Sequence, residues 1–121
     1  MLSSEEQSVI LKWVLNFRLS CPVRKLSRDL ADGVLVAEIL HHLFPRLVDM
    51  HNYTKGFAIV RKLDNWDTLN RKVLKKLEIH LTPDVIHAVA NGVQGAIYDV
   101  LLEVMIKAEQ HGTENEAFSE N

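Results

Sequence analysis

Residues 61–77, RKLDNWDTLNRKVLKKL, decide the fold of this chain. The apolar residues of this stretch and its N-terminal flank fall within one narrow sector of a helical wheel: Ile59, Leu63, Trp66, Val73 and Leu77. Basic residues lie on roughly the opposite side: Arg61, Arg71, Lys72 and Lys75. The pattern predicts a helix over about residues 57–77 that buries a tryptophan and presents cations outward.

Two polar positions in this stretch carry structural expectations. Asp67 and Arg71 are spaced for an i, i+4 ion pair, which would partly neutralise Arg71, whereas Lys72 has no acidic residue three or four positions away. Asn70 falls on the apolar face, where an unsatisfied amide would cost about 1–3 kcal/mol. We therefore expect Asn70 to hydrogen-bond to a neighbouring loop.

Two helices are predicted before this stretch. Ser4 and Gln7 have the form of a capping box, and apolar residues from Val9 to Phe17 recur at helical spacing. A second helix is predicted from about residue 29 to residue 44, with Gly33 inside it. The loop between these helices carries three cations, Arg24, Lys25 and Arg28.

Two helices are predicted after it. Thr82, Pro83 and Asp84 combine a capping oxygen, a proline at the first helical position and a carboxylate at the positive end of the helix dipole. That helix should end near Asn91 and Gly92. A last helix should run from Gly95 to about His111. The chain is thus predicted to be all-α, with about five helices in a compact domain of residues 1–111 and an acidic disordered tail of residues 112–121.

Composition limits the possible classes of protein. A chain of 121 residues fits one domain, and its single cysteine, Cys21, cannot form an intrachain disulfide, which favours a reducing compartment. No apolar run approaches the roughly 18–20 residues that span a bilayer. A soluble cytoplasmic domain with no membrane and no nucleic-acid partner is expected.

The net charge of −2 hides a division along the chain. Residues 18–76 contain 12 Lys and Arg against 6 Asp and Glu, whereas residues 77–121 contain 1 Lys against 8 acids. Such polarity favours docking to an acidic partner through one face. The alternative is that these charges mix on the folded surface and only solvate it.

Motifs for catalysis are missing from the sequence. It contains no glycine-rich phosphate loop, CxxC pair, HExxH or GxSxG. His41, His42 and His51 with Cys21 could be imagined as metal ligands, but adjacent histidines on a helix point about 100 degrees apart and do not easily share an ion. No catalytic residue, metal site or cofactor is therefore predicted, and the chain is not expected to be an enzyme.

Three blocks of sequence resemble a known family. The segment LSRDLADGVLVAEILHHLFP resembles the DG-VL-EIL-FP segment of calponin-homology domains. More narrowly, KLSRDLADGVLVAEI, VDMHNY and KLDNWDTLNRKVLKKL, in this order, resemble phrases of the sperm flagellar protein family, also called CLAMP for calponin-homology and microtubule-associated protein. The resemblance covers about residues 10–105.

The resemblance implies a single calponin-homology domain that binds the acidic surface of tubulin in microtubules, in the cytoskeleton and in the axoneme of cilia and flagella. The matching basic positions, taken as the microtubule-binding residues, are Arg24, Lys25, Arg28, Arg71, Lys72, Lys75 and Lys76. Cys21 stands where the family commonly has another Arg before the proline, which weakens the loop. The isolated domain is expected to be monomeric, and any self-association would use a region outside this chain.

Two other functions stay open from the sequence. Actin binding is performed by other calponin-homology domains, usually as tandem pairs. A passive adaptor that docks a protein through an apolar surface would instead bind independently of salt and of the Lys and Arg residues.

Overall fold

The computed structural model describes the backbone of residues 2–119 and the side chains of residues 2–111. This part of the chain contains no strand and six α-helices: α1 (Ser4–Leu15), α2 (Leu26–Asp29), α3 (Val34–Leu43), α4 (Ile59–Lys72), α5 (Pro83–Ala90) and α6 (Ala96–Ser119). Two 3₁₀ turns, Met50–Asn52 and Leu74–Leu77, lie on either side of α4. The all-α prediction is confirmed, and the four-residue α2 is the additional helix.

Helix α6 continues to Ser119, beyond the end near His111 that the sequence predicts. Side chains from residue 112 onward, and the backbone of residues 120 and 121, lie outside the described part of the chain. The domain boundary and the tail therefore stay predictions.

The core is built around α3 and Trp66. Six residues of the ten-residue α3 are buried: Val34, Leu35, Val36, Ala37, Ile39 and Leu40. Trp66 on α4 is 0% exposed, and its Nε1 donates a hydrogen bond to the carbonyl oxygen of Ala31 at 2.8 Å. Helix α4 packs on α5, and α6 packs on α1, α2 and α5. The tryptophan in the opening stretch thus holds the fold, as its position on the wheel predicts.

The start of α1 differs from the prediction by one residue. Ser3, rather than Ser4, is the N-cap, and it exchanges hydrogen bonds with Glu6, rather than Gln7, at 3.2 and 3.1 Å. Both registers satisfy the capping-box pattern. The negative charge of Glu6 is stabilised by the positive end of the helix dipole, whereas the neutral amide of Gln7 would not be. Val9, predicted to face inward, is 58% exposed.

Gly33 separates two helices instead of lying inside one. Its backbone is left-handed, with φ of 81° and ψ of −12°, and Gly33 is the N-cap of α3. Asp32 Oδ1 accepts a hydrogen bond from the N–H of Val34 at 3.0 Å, which closes the turn. The prediction of one continuous helix was wrong because a positive φ is favourable for glycine and ends the preceding helix.

Helix α4 is shorter than its apolar periodicity suggests. It ends at Lys72, and after Val73 the chain tightens into the 3₁₀ turn Leu74–Leu77, which ends at Glu78 with φ of 61°. Because a 3₁₀ turn aligns residues i and i+3, Leu74 and Leu77 are both buried. Ile59, at the other end of the predicted apolar sector, is 40% exposed.

Two asparagines of α4 organise the loops around it. As predicted, Asn70 bonds a neighbouring loop, donating to the carbonyl oxygen of Leu81 and accepting from its N–H, both at 3.1 Å. Asn65, which the sequence analysis passed over, is 1% exposed. Its amide donates to the carbonyl oxygens of Asp32 and Thr54, both at 2.8 Å, and accepts from the N–H of Thr54 at 3.2 Å.

The predicted start of α5 and the turns that follow it are confirmed. The hydroxyl of Thr82 accepts a hydrogen bond from the N–H of Val85 at 3.3 Å, and Pro83 is the first residue of the helix. Gly92 and Gly95 have positive φ of 69° and 94° in the turn between α5 and α6. These turn signals depend on nearby residues alone, which explains why the sequence located them correctly.

Candidate functional site

The predicted site residues form two groups that lie at opposite ends of α4. The loop cations are Arg24, Lys25 and Arg28, and the helix-end cations are Arg71, Lys72, Lys75 and Lys76. Lys62, near the start of α4, shares a groove with Arg28. Ten residues of α-helix separate Lys62 from Lys72, a distance of about 15 Å along the axis. The structure therefore places the candidates on two separate basic surfaces.

One carboxylate holds the backbone of the loop that carries these cations. Asp29 Oδ2 accepts hydrogen bonds from the N–H groups of Arg24 and Lys25 at 2.8 and 2.9 Å, and Asp29 Oδ1 lies 3.1 Å from Arg28 Nε. Burial alone would raise the pKa of Asp29, but the two backbone donors and Arg28 outweigh it and lower the pKa. The loop is thus a fixed structure at neutral pH.

A groove of about 620 Å³ opens beside the loop cations, and we call it the basic groove. Its uncharged wall is formed by Cys21, Pro22, Leu35, Gly56 and Phe57. Its charged lining consists of three cations and two carboxylates, Arg28, Lys55, Lys62, Asp29 and Asp32. The basic groove therefore joins the loop before α2 to the segment that leads into α4.

Lys55 is the cation most closely tied to the groove wall. Its Nζ lies 2.8 Å from the sulfur of Cys21. The hydrogen bond to Cys21 raises the pKa of Lys55, and the nearby Glu38 and Asp32 add to that effect against the smaller cost of burial. Lys55 is therefore a cation at neutral pH, and the position where the family commonly has another Arg has a lysine ammonium beside it.

An apolar patch adjoins the basic groove. Phe57 is 100% exposed, Val60 75% and Ile59 40%. These three residues occupy the start of α4 and the residues just before it, next to Lys55 and Lys62. An exposed phenylalanine whose neighbours are apolar is unusual for a surface that only faces water.

The helix-end cations differ in how far they are neutralised. Arg71 Nε lies 2.9 Å from Asp67 Oδ2, which confirms the predicted ion pair. Lys72, Lys75 and Lys76 form no ion pair with any described residue, and all three are exposed. Because Lys75 and Lys76 lie on the 3₁₀ turn, they are presented at a different angle from the one that a continuous α4 would give.

The comparison with protein families is decisive for identity. The family model described as "CH-like domain in sperm protein" matches residues 10–106. The chain belongs to this family. The resemblance to calponin-homology domains of the sperm flagellar type is thereby confirmed.

Individual relatives of this CH-like domain agree. It is 45% identical over 98 residues to sperm flagellar protein 1 of Homo sapiens and of Bos taurus, and 81% of the chain and 42% of each relative are covered. It is 41% identical over 106 residues to sperm flagellar protein 1 of Xenopus laevis, with 88% of the chain and 46% of the relative covered. The chain thus spans less than half the length of these curated relatives. The family supports a cytoskeleton-associated module.

Metal-binding clusters and membrane-spanning helices are both absent from the described part of the CH-like domain. Among the described residues, no three His, Cys, Asp or Glu side chains come together as a metal site would require. In the same part of the chain, none of the helices combines the length and the apolar character needed to cross a bilayer. His42, one of the imagined metal ligands, has its Nε2 2.9 Å from the carbonyl oxygen of Arg18.

Sequence reasoning missed part of the basic groove of the CH-like domain. Lys55, Phe57 and Lys62 were not among the predicted site residues. The available signal was an apolar run, Phe57 to Val60, flanked by Lys55 and Arg61 and placed before the first deeply buried position of α4. The sequence pattern does not show that Phe57 lines the same groove as Arg28. That proximity depends on Asn65, which hydrogen-bonds both Thr54 and Asp32.

Proposed function

We propose that this CH-like domain is a non-enzymatic module that binds the acidic surface of tubulin in microtubules through its basic residues. The observation that carries the proposal is the clamp of Asp29 on the loop cations beside Lys55 and Lys62. Because the backbone that carries these cations is already ordered, binding need order only their side chains, so many weak contacts to an acidic polymer can add. The helix-end lysines, which have no acidic partner among the described residues, would extend the contact.

The names of the relatives support the place of action. They are sperm flagellar proteins. We extend this to the chain as a proposal, namely that it acts in the cytoskeleton of cilia and flagella, at the axoneme. Self-association, which the relatives' greater length could support, would use regions outside this chain.

The test is co-pelleting with microtubules at several salt concentrations. One double variant, Arg24→Glu with Lys25→Glu, probes the loop cations, and another, Lys72→Glu with Lys75→Glu, probes the helix-end cations. Lys12→Glu with Arg46→Glu changes the net charge equally at exposed positions on other parts of the surface. We expect each probing variant to weaken binding about tenfold or more and the control to weaken it much less.

Salt provides a second readout. Binding of the unaltered domain should fall steeply with added salt, because exposed charges are screened beyond about 10 Å at 0.1 M. If both probing variants pellet like the control at low salt, the basic surfaces do not bind microtubules and the proposal fails. Binding to filamentous actin but not to microtubules would mean that the same basic surfaces bind actin instead.

The apolar patch favours a second candidate, docking of a protein through an apolar surface. Phe57 is fully exposed and Val60 nearly so. A purely apolar contact would be insensitive to salt and would survive both charge-reversal variants. Salt-resistant pelleting would therefore select this candidate.

A further inference from the structure

We infer that the basic groove and the apolar patch together bind an acidic polypeptide segment that carries one large apolar side chain, and that Phe57 contacts this side chain. The inference rests on the proposed function, since it names the kind of segment that the basic surface would take. It adds a contact to the charges: an apolar anchor that sets the position of the segment.

The lining of the groove requires an apolar group in the ligand. Leu35 is already buried, but Pro22 and Phe57 in the same wall are exposed, so a ligand with only charged groups would leave these two apolar residues uncovered. Burial of one aromatic side chain removes about 150–250 Å² from water, the largest gain that a single residue can give. The volume of about 620 Å³ lies within the range of sites that take a drug-sized ligand, and it exceeds the need of a single ion.

The charges at the rim require an acidic partner. Asp29 is saturated by the N–H groups of Arg24 and Lys25 and by Arg28, and Asp32 Oδ1 accepts from the N–H of Val34. The carboxylates of the groove are therefore engaged with the protein's own donors but keep their charge, and Asp29 pairs with Arg28, so the lining as a whole carries one net positive charge. Lys62 forms no ion pair with any described residue, and Lys55 Nζ lies 2.8 Å from the sulfur of Cys21 and in no ion pair with a described carboxylate.

The shape of the site favours an extended segment over an enclosed small molecule. Phe57 and Arg28 both line the groove, and both are exposed to solvent. A groove bounded by exposed side chains admits a chain that enters and leaves it. Val60 and Ile59 on the first turn of α4 are also exposed, at 75% and 40%, and they offer apolar contact to the residue that follows the anchor.

The experiment measures binding of two synthetic peptides by fluorescence anisotropy. Both are labelled, about ten residues long and rich in glutamate, and they differ only in one central residue, Phe in one and Ala in the other. We expect the Phe peptide to bind about tenfold more tightly than the Ala peptide. Phe57→Ser should remove this difference, whereas Val93→Ser, a change at another exposed apolar residue, should keep it.

Phe57→Ser is suitable because a fully exposed side chain contributes little to folding, and thermal unfolding verifies that the variant is intact. Equal binding of the two peptides, or a difference that persists in Phe57→Ser, would overturn the inference. So would binding to vesicles of phosphatidylcholine and phosphatidylserine with no binding to either peptide, which would assign the patch to a membrane surface.

The outcomes separate this inference from the proposed function. Tight binding of the Phe peptide by a domain that does not pellet with microtubules would retain the groove and reject tubulin as its partner. Microtubule binding that is lost on charge reversal but is unchanged by Phe57→Ser, with no preference between the peptides, would retain the proposed function and reject the groove.

Discussion

Removal of the Asn65 amide should release the backbone of Thr54 and Asp32, which lie beside the basic groove, from α4. The change is Asn65→Ala. Asn65 makes three hydrogen bonds, two to carbonyl oxygens and one to a backbone N–H, at a position that is 1% exposed. At about 1 kcal/mol net for each bond, the free energy of unfolding should fall by about 3 kcal/mol, which corresponds to a shift of about 1.5 M in the urea midpoint.

Asn70→Ala is the matched control for this change. It removes the same side chain from the same helix, but Asn70 makes two hydrogen bonds, both to Leu81, and is only half-buried. We expect a loss of about 1–2 kcal/mol. Asn65→Asp adds a second comparison, since it keeps the acceptor but turns a carboxylate toward two carbonyl oxygens, and it should be at least as destabilising as Asn65→Ala at neutral pH.

The thiol of Cys21 reports on the groove itself. Thr54, which Asn65 holds, precedes Lys55, and Lys55 bonds Cys21. Modification of Cys21 by a disulfide reagent under native conditions should therefore be faster in Asn65→Ala than in the parent, and little changed in Asn70→Ala. Equal losses of stability in the two alanine variants, or equal thiol reactivity, would refute the role given to Asn65.

Three further changes test other parts of the structure. Tyr53→Phe should raise the free energy of unfolding by about 1 kcal/mol in urea titrations, because the Tyr53 hydroxyl is buried without a hydrogen-bond partner among the described residues and burial raises its pKa to about 12. Gly33→Ala should lower the melting temperature, at a cost of about 1–2 kcal/mol, because its φ of 81° is strained for alanine; an unchanged melting temperature would contradict this. Asp29→Asn should make the free energy of unfolding depend less on pH at acidic pH. The pKa of Asp29 is lowered from 3.8, so its contribution is complete above that pH and is lost as pH falls through the lowered pKa. Unfolding measured from pH 2 to pH 7 against Glu103→Gln, a change at an exposed carboxylate in the middle of α6, provides the comparison.

The parts of the fold that the sequence predicted correctly depend on neighbouring residues. The start of α5 at Thr82 and Pro83 and the Asp67–Arg71 pair involve positions three or four apart, so the pattern contains all the partners. The burial of Trp66 was also predicted correctly, because a tryptophan on the narrow apolar side of a long amphipathic helix has few alternatives to the core, whereas Ile59 of the same sector is 40% exposed.

The errors arise where distant residues decide. The end of α4 at Lys72 follows from the burial of Leu74 and Leu77 in a tighter turn, which helical periodicity does not distinguish from a continued helix. The candidate site shows the same limit. The loop cations were recognised through a family resemblance, whereas Lys55 and Phe57 join them only through contacts between residues far apart in the chain.

The hydrogen bonds of Asn65 and Trp66 also have a consequence for the order of folding. These consecutive side chains bond the carbonyl oxygens of Asp32 and Ala31, across 33 and 35 residues. Contacts that close loops of this length form after local ones, because the loop must first be ordered. We therefore expect the corner between α2 and α3 to form late, once α4 has docked. During synthesis, a nascent chain that ends before residue 65 would have its loop cations but no groove beside them.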